Sequence, residues 1–301
     1  MRVLVLGASG QVGRELESRL DRSPHQLQCP PRSALDIRDG HALRLFVSEH
    51  RPEICINLAA FTDVAAAERD PEVAFDVNCK GAAQVAEVSA SAGMPLIHIS
   101  TDYVFDGLAS RPYREEDPTN PLNVYGASKL AGEREIQRRC GEYLLIRTSW
   151  VFSRWRRNFV KTIFERAFSH PELSVVDDEI GGPTAAADLA EALLELISRR
   201  GAGGEIQWGL YHCSNSGSAS RFELAERILT RVRERWDDAE IARLQPVSTE
   251  IRHSELERPA YSVLDPRRFK RQLGIQLRHW TDAVDEVVDS LVASKSEEGS
   301  H

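Results

Sequence analysis

The sequence lacks paired cysteines, a surplus of basic residues and any long apolar run. The five cysteines are scattered and form no CxxC pair, which predicts neither a disulfide framework nor a zinc site. The formal net charge is -8, whereas proteins that bind nucleic acid are usually basic. The opening run MRVLVLG passes directly into a glycine turn, so it predicts neither a signal peptide nor a membrane span. We therefore expect a cytoplasmic protein that binds neither nucleic acid nor membrane.

The composition is that of a globular protein with one large domain and a smaller lobe. Hydrophobic residues make up 42% of the 301 residues and charged residues 28%, which argues against disorder. A chain of this length can form a complete dinucleotide-binding domain and still have residues for a second lobe.

Strands and helices alternate through the first half of the chain. The predicted strands are Arg2–Leu6, Leu27–Cys29, Ile54–Asn57, Leu96–Ser100 and Tyr143–Thr148, and the helices between them include a long one at Glu72–Ala92. Right-handed crossovers place such helices on both faces of a parallel sheet. We therefore predict an α/β fold of the Rossmann type, a doubly wound parallel sheet with a smaller C-terminal substrate-binding lobe.

The NAD(P)-binding domain is assigned to residues 1–150. Residues 151–293 are assigned mainly to the second lobe, from which some segments can return to the main sheet, and residues 294–301 to a flexible tail.

A glycine-rich turn joins the first strand to the first helix. The run GASGQVG has GxxGxxG spacing, and the helix that follows it is predicted to continue through Leu16 and Leu20. Glycines let the backbone approach a pyrophosphate closely, and the helix N-terminus offers free N–H groups. Such a turn can be purely structural, but its position between a strand and a helix favours a dinucleotide site. The predicted cofactor contacts here are Gly7, Ser9, Gly10, Gln11, Val12 and Gly13.

The residues after the second strand bear on the choice of cofactor. Enzymes that prefer NAD often carry an acidic residue at this place, but the stretch here reads CPPRS at Cys29–Ser33. Arg32 is positioned to meet the 2′-phosphate of NADPH, which favours NADPH over NADH. A solvated loop arginine is the alternative interpretation. Asp36 and Ile37 are candidates for the border of the adenine.

A tyrosine and a lysine with YxxxK spacing lie at the start of a later helix. Tyr125 and Lys129 share one helix face, so both side chains can point at the same bound molecule. A phenol can give a proton to a ketone oxygen while hydride reaches the carbon, and a nearby lysine lowers the phenol pKa. Thr101 directly follows the fourth strand, at the sheet edge where such folds bind ligands. We predict these three residues as the catalytic centre, although YxxxK spacing also arises by chance on exposed helices.

Further motifs extend over nearly the whole chain. They are STDYVF, NPLNVYGASKLAGE, RTSWVF, GGPT, GLYH and RPAYSVLD, in addition to GASGQVG. Together they resemble the dTDP-4-dehydrorhamnose reductases, a family of extended short-chain dehydrogenases. The resemblance implies reduction of dTDP-4-dehydro-L-rhamnose to dTDP-L-rhamnose by NADPH, with NADH as an alternative donor. It also implies that Tyr125 is the proton donor, that Lys129 tunes it and anchors the ribose, and that Thr101 binds the carbonyl.

The same resemblance implies further contacts with substrate and cofactor. Asp102 and Tyr103 would lie beside the sugar, and Trp150 would offer it a flat apolar surface unless the ring belongs to the core where the lobes join. Arg258 is a candidate for contact with the nucleotide or diphosphate, because a guanidinium group suits phosphate oxygens. The remaining residues are Asn158 on the substrate side and Asn57, Leu58, Ala59, Ala60 and Asn78 on the cofactor side.

Some alternatives stay open at this point. The stretch Arg154–Arg157 stands where many relatives have glycines, which leaves room for a different 4-keto sugar nucleotide as substrate. A non-catalytic NADP-binding regulatory subunit, like that of methionine adenosyltransferase, shares the fold. Some relatives bind magnesium through glutamates at a dimer contact. We assign no glutamate to that role and predict no metal, and a homodimer is an open possibility.

Overall fold

The computed structural model describes residues 1–19, 24–237, 239–252 and 256–298. Leu20, which the sequence places in the first helix, lies outside the described residues, as do residues 299–301 of the predicted tail. In chain order the strands are β1 (Arg2–Leu6), β2 (Gln26–Gln28), β3 (Ile54–Asn57), β4 (Leu96–Thr101), β5 (Tyr143–Thr148), β6 (Val151–Phe152), β7 (Glu172–Val176), β8 (Ile180–Gly181), β9 (Thr184–Ala185), β10 (Gly209–His212), β11 (Ala219–Ser220) and β12 (Arg243–Val247).

The helices flank and connect these strands. They are α1 (Gln11–Glu17), α2 (Gly40–His50), α3 (Val64–Arg69), α4 (Pro71–Phe75), α5 (Ala82–Ser91), α6 (Val124–Arg139), α7 (Phe159–Ala167), α8 (Ala186–Gly201), α9 (Arg221–Arg235), α10 (Thr249–Arg252), α11 (Arg267–Leu273) and α12 (Trp280–Glu298). A π-helical segment, Asp76–Gly81, separates α4 from α5. The long helix predicted at Glu72–Ala92 is therefore present as one continuous helical stretch from Pro71 to Ser91, but the sequence does not predict the wider π-helical turn within it.

Six parallel strands form the central sheet. Their order is β10-β5-β4-β3-β1-β2, and each neighbouring pair runs in the same direction. Successive side chains of β1, β3 and β5 point to opposite faces of the sheet, and they are buried on both faces. This is expected for strands that helices cover on both sides. The prediction of an α/β doubly wound parallel sheet is confirmed. Strand β10 comes from the second half of the chain, so a late segment does return to this sheet.

Two cores cover the two faces of the sheet. On one face, Val3, Val5 and Ile146 pack with residues of α1, α8 and α11. On the other face, Leu4 and Leu145 pack with residues of α2, α5 and α6. The carboxyl ends of β1, β3, β4 and β5 therefore lie at one edge of a sheet that is held from both sides.

A third core lies outside the central sheet. It is formed by apolar faces of α7, α9 and α12 with β7, and its members include Phe164, Leu229 and Val288. Arginines of α9 pair with aspartates of α12 across its surface, as in Arg231 with Asp289. This core supports the predicted second lobe, whose boundary at residue 150 stays a prediction. Helix α12 continues through residues 294–298, which the sequence places in a loose tail. No helix in the described part of the chain combines the length and apolar character needed to cross a membrane.

Candidate active site

The glycine loop folds tightly against the segment that follows β3. Gly7 has a φ of 81°, and a side chain there would overlap the backbone of Ala59. A side chain at Gly13 would overlap the backbone of Ala8. The loop is closed by a hydrogen bond of 3.0 Å from Gly10 N to Gly7 O. The structure therefore brings the predicted loop and the predicted segment Leu58–Ala60 together, with backbone rather than side chains at their contact.

The side chain of Gln11 connects this loop with the stretch after β5. Its Nε2 donates to Val151 O at 3.2 Å, and its Oε1 accepts from Ser153 Oγ at 2.8 Å and Asn158 Nδ2 at 2.9 Å. Asn158 also caps α7 by accepting from Lys161 N at 3.0 Å. The amide of Asn158, predicted to face the substrate, is thus engaged with the glycine loop and the cap of α7. The side chain of Val12 points into the core, which leaves its backbone for a ligand.

The loop after β2 carries two arginines around one aspartate. Arg38 binds the carboxylate of Asp36 through two side-chain nitrogens, at 3.0 and 2.7 Å. Arg32 touches the same carboxylate at 3.4 Å, and its side chain is 70% exposed. Arg32 is therefore free to turn toward a ligand phosphate, while Asp36 already has a cationic partner. Ile37 is buried against Gly81, so its contribution to an adenine site is limited to its backbone.

Thr101, Tyr125 and Lys129 meet at the carboxyl end of β4. Thr101 is the last residue of that strand, and Asn123 begins α6 by accepting from Gly126 N at 2.9 Å. Tyr125 and Lys129 then lie one turn apart on α6. A hydrogen bond with Thr101 lowers the pKa of Tyr125, but burial has the larger effect and raises that pKa. The three predicted catalytic residues are thus brought together, with the phenol held in its protonated form.

Lys129 is buried beneath the tyrosine. Its Nζ donates to Ile99 O at 2.7 Å and lies 3.2 Å from His98 Nε2. Burial lowers the pKa of Lys129 to about 8, although the charge of Glu133 acts in the opposite direction. A lysine that titrates near neutral pH is suited to proton chemistry.

Asp102 and Tyr103 form the turn that follows Thr101. Thr101 Oγ1 donates to Asp102 Oδ1 at 3.1 Å, and the rings of Tyr103 and Tyr125 meet edge to face at 5.6 Å. Burial raises the pKa of Asp102 to about 6, which hydrogen bonds with Ser262 and Thr101 only partly offset. Both residues therefore lie beside Tyr125, and their predicted contact with the sugar stays a prediction.

Trp150 stands at the junction after β5 in a strained backbone conformation. Its φ is 45°, in a region that bulky residues rarely adopt and that often marks functional sites. The guanidinium carbon of Arg221 lies 3.4 Å from the centre of the indole ring, and Gly181 leaves room for the edge of that ring. Arg221 also pairs with Glu179 at 3.5 Å. The predicted Trp150 is thus held between an arginine and a glycine.

Two arginines face Tyr103. Arg258, predicted for diphosphate contact, and Arg221 both lower the pKa of Tyr103 through their charges, against the larger raising effect of burial. Arg258 Nε is buried and has no hydrogen-bond partner in the part of the chain that the structure describes. Arg221 escapes prediction from sequence because it lies far along the chain from Trp150, and only a capping box at Ser220 and Glu223 marks its surroundings.

A buried ion pair stabilises the elements that carry the catalytic residues. Arg147 binds Glu133 through two nitrogens, at 2.9 and 2.6 Å, and Ser100 Oγ donates to the same glutamate at 2.6 Å. These residues come from β5, α6 and β4. The pair therefore fixes α6 against the two strands that position Thr101. It is not predictable from the sequence, because charged residues in amphipathic segments usually face solvent.

Asn78 holds the catalytic helix from the side of the π-helical segment. Its Nδ2 donates to Phe61 O and to Ser128 Oγ, both at 3.0 Å, and its Oδ1 accepts from Phe61 N at 2.8 Å. These three bonds connect the segment after β3 with α6. Asn78 therefore lies where the cofactor side is predicted, but its amide binds protein groups.

The arginine-rich stretch after β6 lies at the surface. Arg154 stacks on Trp155, with its guanidinium carbon 4.3 Å from the ring centre. It lines an open depression together with Glu15 and Glu191. Acidic neighbours of this kind favour the interpretation of Arg154 as part of a solvated face.

The comparisons with known proteins show the family of this chain. The family model described as the RmlD substrate binding domain matches residues 1–293. A spore coat polysaccharide biosynthesis protein of Bacillus subtilis is 39% identical, with 95% of this chain and 96% of the relative covered. A dTDP-4-dehydrorhamnose reductase of Streptomyces griseus is 39% identical, with 96% of this chain and 94% of the relative covered.

A solved structure gives the same result. The dTDP-4-dehydrorhamnose reductase of Bacillus anthracis, in complex with NADP, superimposes with a TM-score of 0.88 at 35% identity. The match covers 96% of this chain and 99% of that one. Sequence, fold and relatives thus agree over nearly all of the chain, which belongs to the family of the RmlD substrate binding domain.

Proposed function

We propose that this protein reduces the 4-keto group of dTDP-4-dehydro-L-rhamnose to give dTDP-L-rhamnose, with NADPH as the hydride donor and NADH as an alternative. The observation that carries the proposal is the meeting of Thr101, Tyr125 and Lys129 beside the glycine loop and Trp150. The relatives from S. griseus and B. anthracis bear the name of this reductase, and the latter binds NADP. The geometry supports the reaction class, and the relatives support the substrate.

The glycine loop fits a dinucleotide. Side chains at Gly7 and Gly13 would overlap neighbouring backbone, so the loop presents main-chain atoms, and no side chain among the described residues caps the first turn of α1. Residues 7–13 and 58–60 would hold the pyrophosphate side, Arg32 the 2′-phosphate and Lys129 the nicotinamide ribose. When bound, the reduced nicotinamide supplies the hydride.

Tyr125 supplies the proton to the ketone oxygen. Because burial raises the pKa of its phenol, Tyr125 keeps that proton at neutral pH until charge develops on the oxygen. Thr101, whose hydroxyl donates to Asp102 Oδ1 in this structure, would turn that hydroxyl toward the same oxygen, where two donors stabilise the negative charge of the transition state. Lys129, in its protonated form once cofactor and substrate are bound, would then stabilise the phenolate that Tyr125 leaves behind.

The flat ring of Trp150 is the proposed platform for the sugar. Tyr103 and Asp102 would flank the sugar, and Arg258 would bind the diphosphate with its unpaired buried nitrogen. A guanidinium group without a protein acceptor is the expected state of a residue whose partner is a ligand anion.

We also keep the remaining assignments as parts of this proposal. They are a division into residues 1–150 and 151–293, a cytoplasmic location and a homodimer. All five cysteines are free thiols, which agrees with a reducing compartment.

A coupled assay tests the proposed reaction. We would generate dTDP-4-dehydro-L-rhamnose in situ, add the protein with NADPH or NADH, follow the loss of reduced-nicotinamide absorbance and identify the product by mass. We expect oxidation of the cofactor that yields dTDP-L-rhamnose, and we expect it to be faster with NADPH than with NADH.

The variant Tyr125→Phe should lose about 10²–10⁴-fold in turnover while it still binds NADPH, because only the proton donor is removed.

The control is Tyr143→Phe, which removes a hydroxyl from the opposite, amino end of β5 and should leave turnover unchanged. Near-normal turnover in Tyr125→Phe would remove this residue from its role. If the wild-type protein binds NADPH but oxidises none of it, the substrate is another 4-keto sugar nucleotide or the protein is a regulatory subunit.

A further inference from the structure

A chain of buried polar contacts runs from Lys129 to the segment after β3. Lys129 Nζ lies 3.2 Å from His98 Nε2, and His98 Nδ1 lies 3.0 Å from Asn57 Nδ2. Asn57 Oδ1 accepts from Ala59 N at 3.1 Å. His98 is 1% exposed, Asn57 is fully buried and Lys129 is 2% exposed. These buried groups contact one another directly, so their donors and acceptors must match within the chain.

The backbone fixes the direction of each hydrogen bond. The N–H of Ala59 is a donor, so the atom of Asn57 that faces it must be the oxygen. The amide nitrogen of Asn57 is then directed at His98 Nδ1, which must accept. A neutral imidazole carries one proton, and it therefore sits on Nε2.

This Nε2–H is directed at Lys129. An ammonium group has donors only, so a charged lysine and the imidazole would present donors to each other. A neutral amine has a lone pair and can accept from His98, while it still donates to Ile99 O. Burial acts in the same direction, since it lowers the pKa of Lys129 to about 8 and the pKa of His98 well below its usual value.

We propose that His98 is a positioning residue for Lys129: Asn57 fixes the imidazole tautomer, and the imidazole N–H holds the lysine nitrogen and favours its neutral form in the free protein. The inference rests on the proposed function only for the statement that Lys129 acts in catalysis. The tautomer itself follows from the contacts alone.

Two other titratable groups lie near Lys129, and only Glu133 opposes the effect of His98. Glu133, one turn further along α6, raises the pKa of Lys129, but its carboxylate is bound by Arg147 from β5 and by Ser100 from β4. Tyr125, on the same face of α6, is neutral below its raised pKa. Burial and the contact with His98 thus favour neutral Lys129. The opposing charge is that of Glu133, whose carboxylate already has Arg147 as its cationic partner.

Nitrogen NMR of the full-length protein labelled with ¹⁵N-histidine tests the tautomer without any substrate. His98 and His212 are both buried and stay neutral, with the pKa of His212 lowered by burial to about 3. His212 Nδ1 lies 3.0 Å from the carbonyl oxygen of Tyr113, so its proton sits on Nδ1. We expect His98 to show the Nε2–H tautomer and His212 the Nδ1–H tautomer across the pH range, with the His98 signals identified by their loss in His98→Phe.

The variant Asn57→Asp tests the connection to Lys129. One carboxylate oxygen can still accept from Ala59 N, while the other accepts from His98 Nδ1–H, so the tautomer changes and Nε2 can accept from charged Lys129. We expect the alkaline limb of the pH profile of kcat/KM to rise by about one pH unit or more. In a His98→Phe background the same substitution should move the limb less, because the imidazole no longer connects the two groups.

A wild-type His98 with its proton on Nδ1 would overturn the proposal, and this measurement needs no folded variant at position 57. An alkaline limb that stays in place in Asn57→Asp, or moves equally with and without His98, would also overturn it. Loss of all reductase activity in the wild-type assay would instead contradict the proposed function and leave the tautomer result standing.

Discussion

At the residue scale, Arg32 and Arg38 share one carboxylate unequally. Asp36 is bound through two nitrogens of Arg38, whereas Arg32 has one contact at 3.4 Å and is mostly exposed. We expect Arg32→Ala to weaken the binding of NADPH more than that of NADH, measured as dissociation constants by fluorescence titration. The control Arg38→Ala should release Asp36 and weaken both cofactors to a similar degree. Equal losses for the two cofactors in Arg32→Ala would show that Arg32 does not bind the 2′-phosphate.

Asp102 gives a prediction about pH and stability. Its folded-state pKa is raised by burial to about 6, so the folded protein binds this proton more tightly than the unfolded chain does. The stability that the protonated group contributes is complete below about pH 4 and is lost as the pH rises through about 6. Asp102→Asn should therefore be as stable as the wild type at pH 4 and more stable at pH 7.5 by roughly 2–3 kcal/mol, measured by denaturant unfolding.

The control for this prediction is Asp106→Asn in the same loop. The pKa of Asp106 is lowered, first by the hydrogen bond from Leu108 N, so its ionised form stabilises the fold. This variant should lose stability at pH 7.5 and recover relative to the wild type as the pH falls. A difference between Asp102→Asn and the wild type that is the same at both pH values would rule out the titration of Asp102 as its cause.

Sequence reasoning at the residue scale finds residues with a motif around them. Tyr125, Lys129 and Gly7 follow from spacing, and the structure brings them to one edge of the sheet. His98 does not follow, because one histidine in an apolar strand resembles an ordinary core residue until its contacts with Lys129 are known. Arg221 is hidden for another reason, since its partner Trp150 is adjacent only after the second lobe has folded.

At the element scale, two glycines let α6 lie close to its neighbours. A side chain at Gly126 would overlap the carbonyl of Tyr103, and one at Gly132 would overlap the carbonyl of Asn78. In an unrestricted helix, alanine in place of glycine stabilises by about 1 kcal/mol. Here the overlap with fixed backbone dominates, so Gly132→Ala should destabilise the protein by about 1–3 kcal/mol and lower turnover by displacing Tyr125 and Lys129.

Gly141→Ala is the matched control, because no atom lies within 4 Å of its added methyl group. It should change the free energy of unfolding by less than about 0.5 kcal/mol. Both variants would be measured by urea unfolding and by the coupled assay. A stable and fully active Gly132→Ala would show that α6 can shift without cost to the site.

The elements themselves are predictable where the apolar pattern is strong. Strands β1, β3 and β5 have the predicted bounds, because each is a short apolar run between polar turns. The π-helical segment is not predictable, since a wider turn preserves the apolar face and changes only the backbone hydrogen bonds. That segment places the side chain of Asn78 against Ser128 of α6. The wider turn, which the sequence does not predict, therefore helps to position α6.

At the scale of the whole molecule, the cores are connected by a polar network in which Asp188 and Asn215 are buried and Arg278 reaches the surface. Asp188 of α8 pairs with Arg278 at 2.9 Å and accepts from Asn215 at 2.6 Å, and Asn215 accepts from Ala185 N at 2.8 Å. The chain thus passes between the central sheet and the second lobe more than once. We expect the two lobes to unfold together.

Two core variants test this cooperativity. Leu193→Ala in the core of the sheet and Leu229→Ala in the core of the second lobe should each cost about 2–5 kcal/mol. NADPH at 100 times its dissociation constant should restore about 2.7 kcal/mol to both, measured as a shift in thermal unfolding. Restoration of Leu193→Ala alone would mean that the lobes unfold separately and would support an independent domain at residues 1–150.

The place of β10 beside β5 has a consequence for how the protein is made. Until the ribosome has delivered Gly209–His212, the edge of β5 presents unpaired N–H and C=O groups and apolar side chains to the cell. At about 5–20 residues per second, this interval lasts several seconds. A nascent chain that stalls after Thr148 would leave the edge of β5 unpaired and able to bind other chains. Chaperone demand and aggregation during synthesis should therefore depend on how soon β10 is synthesised.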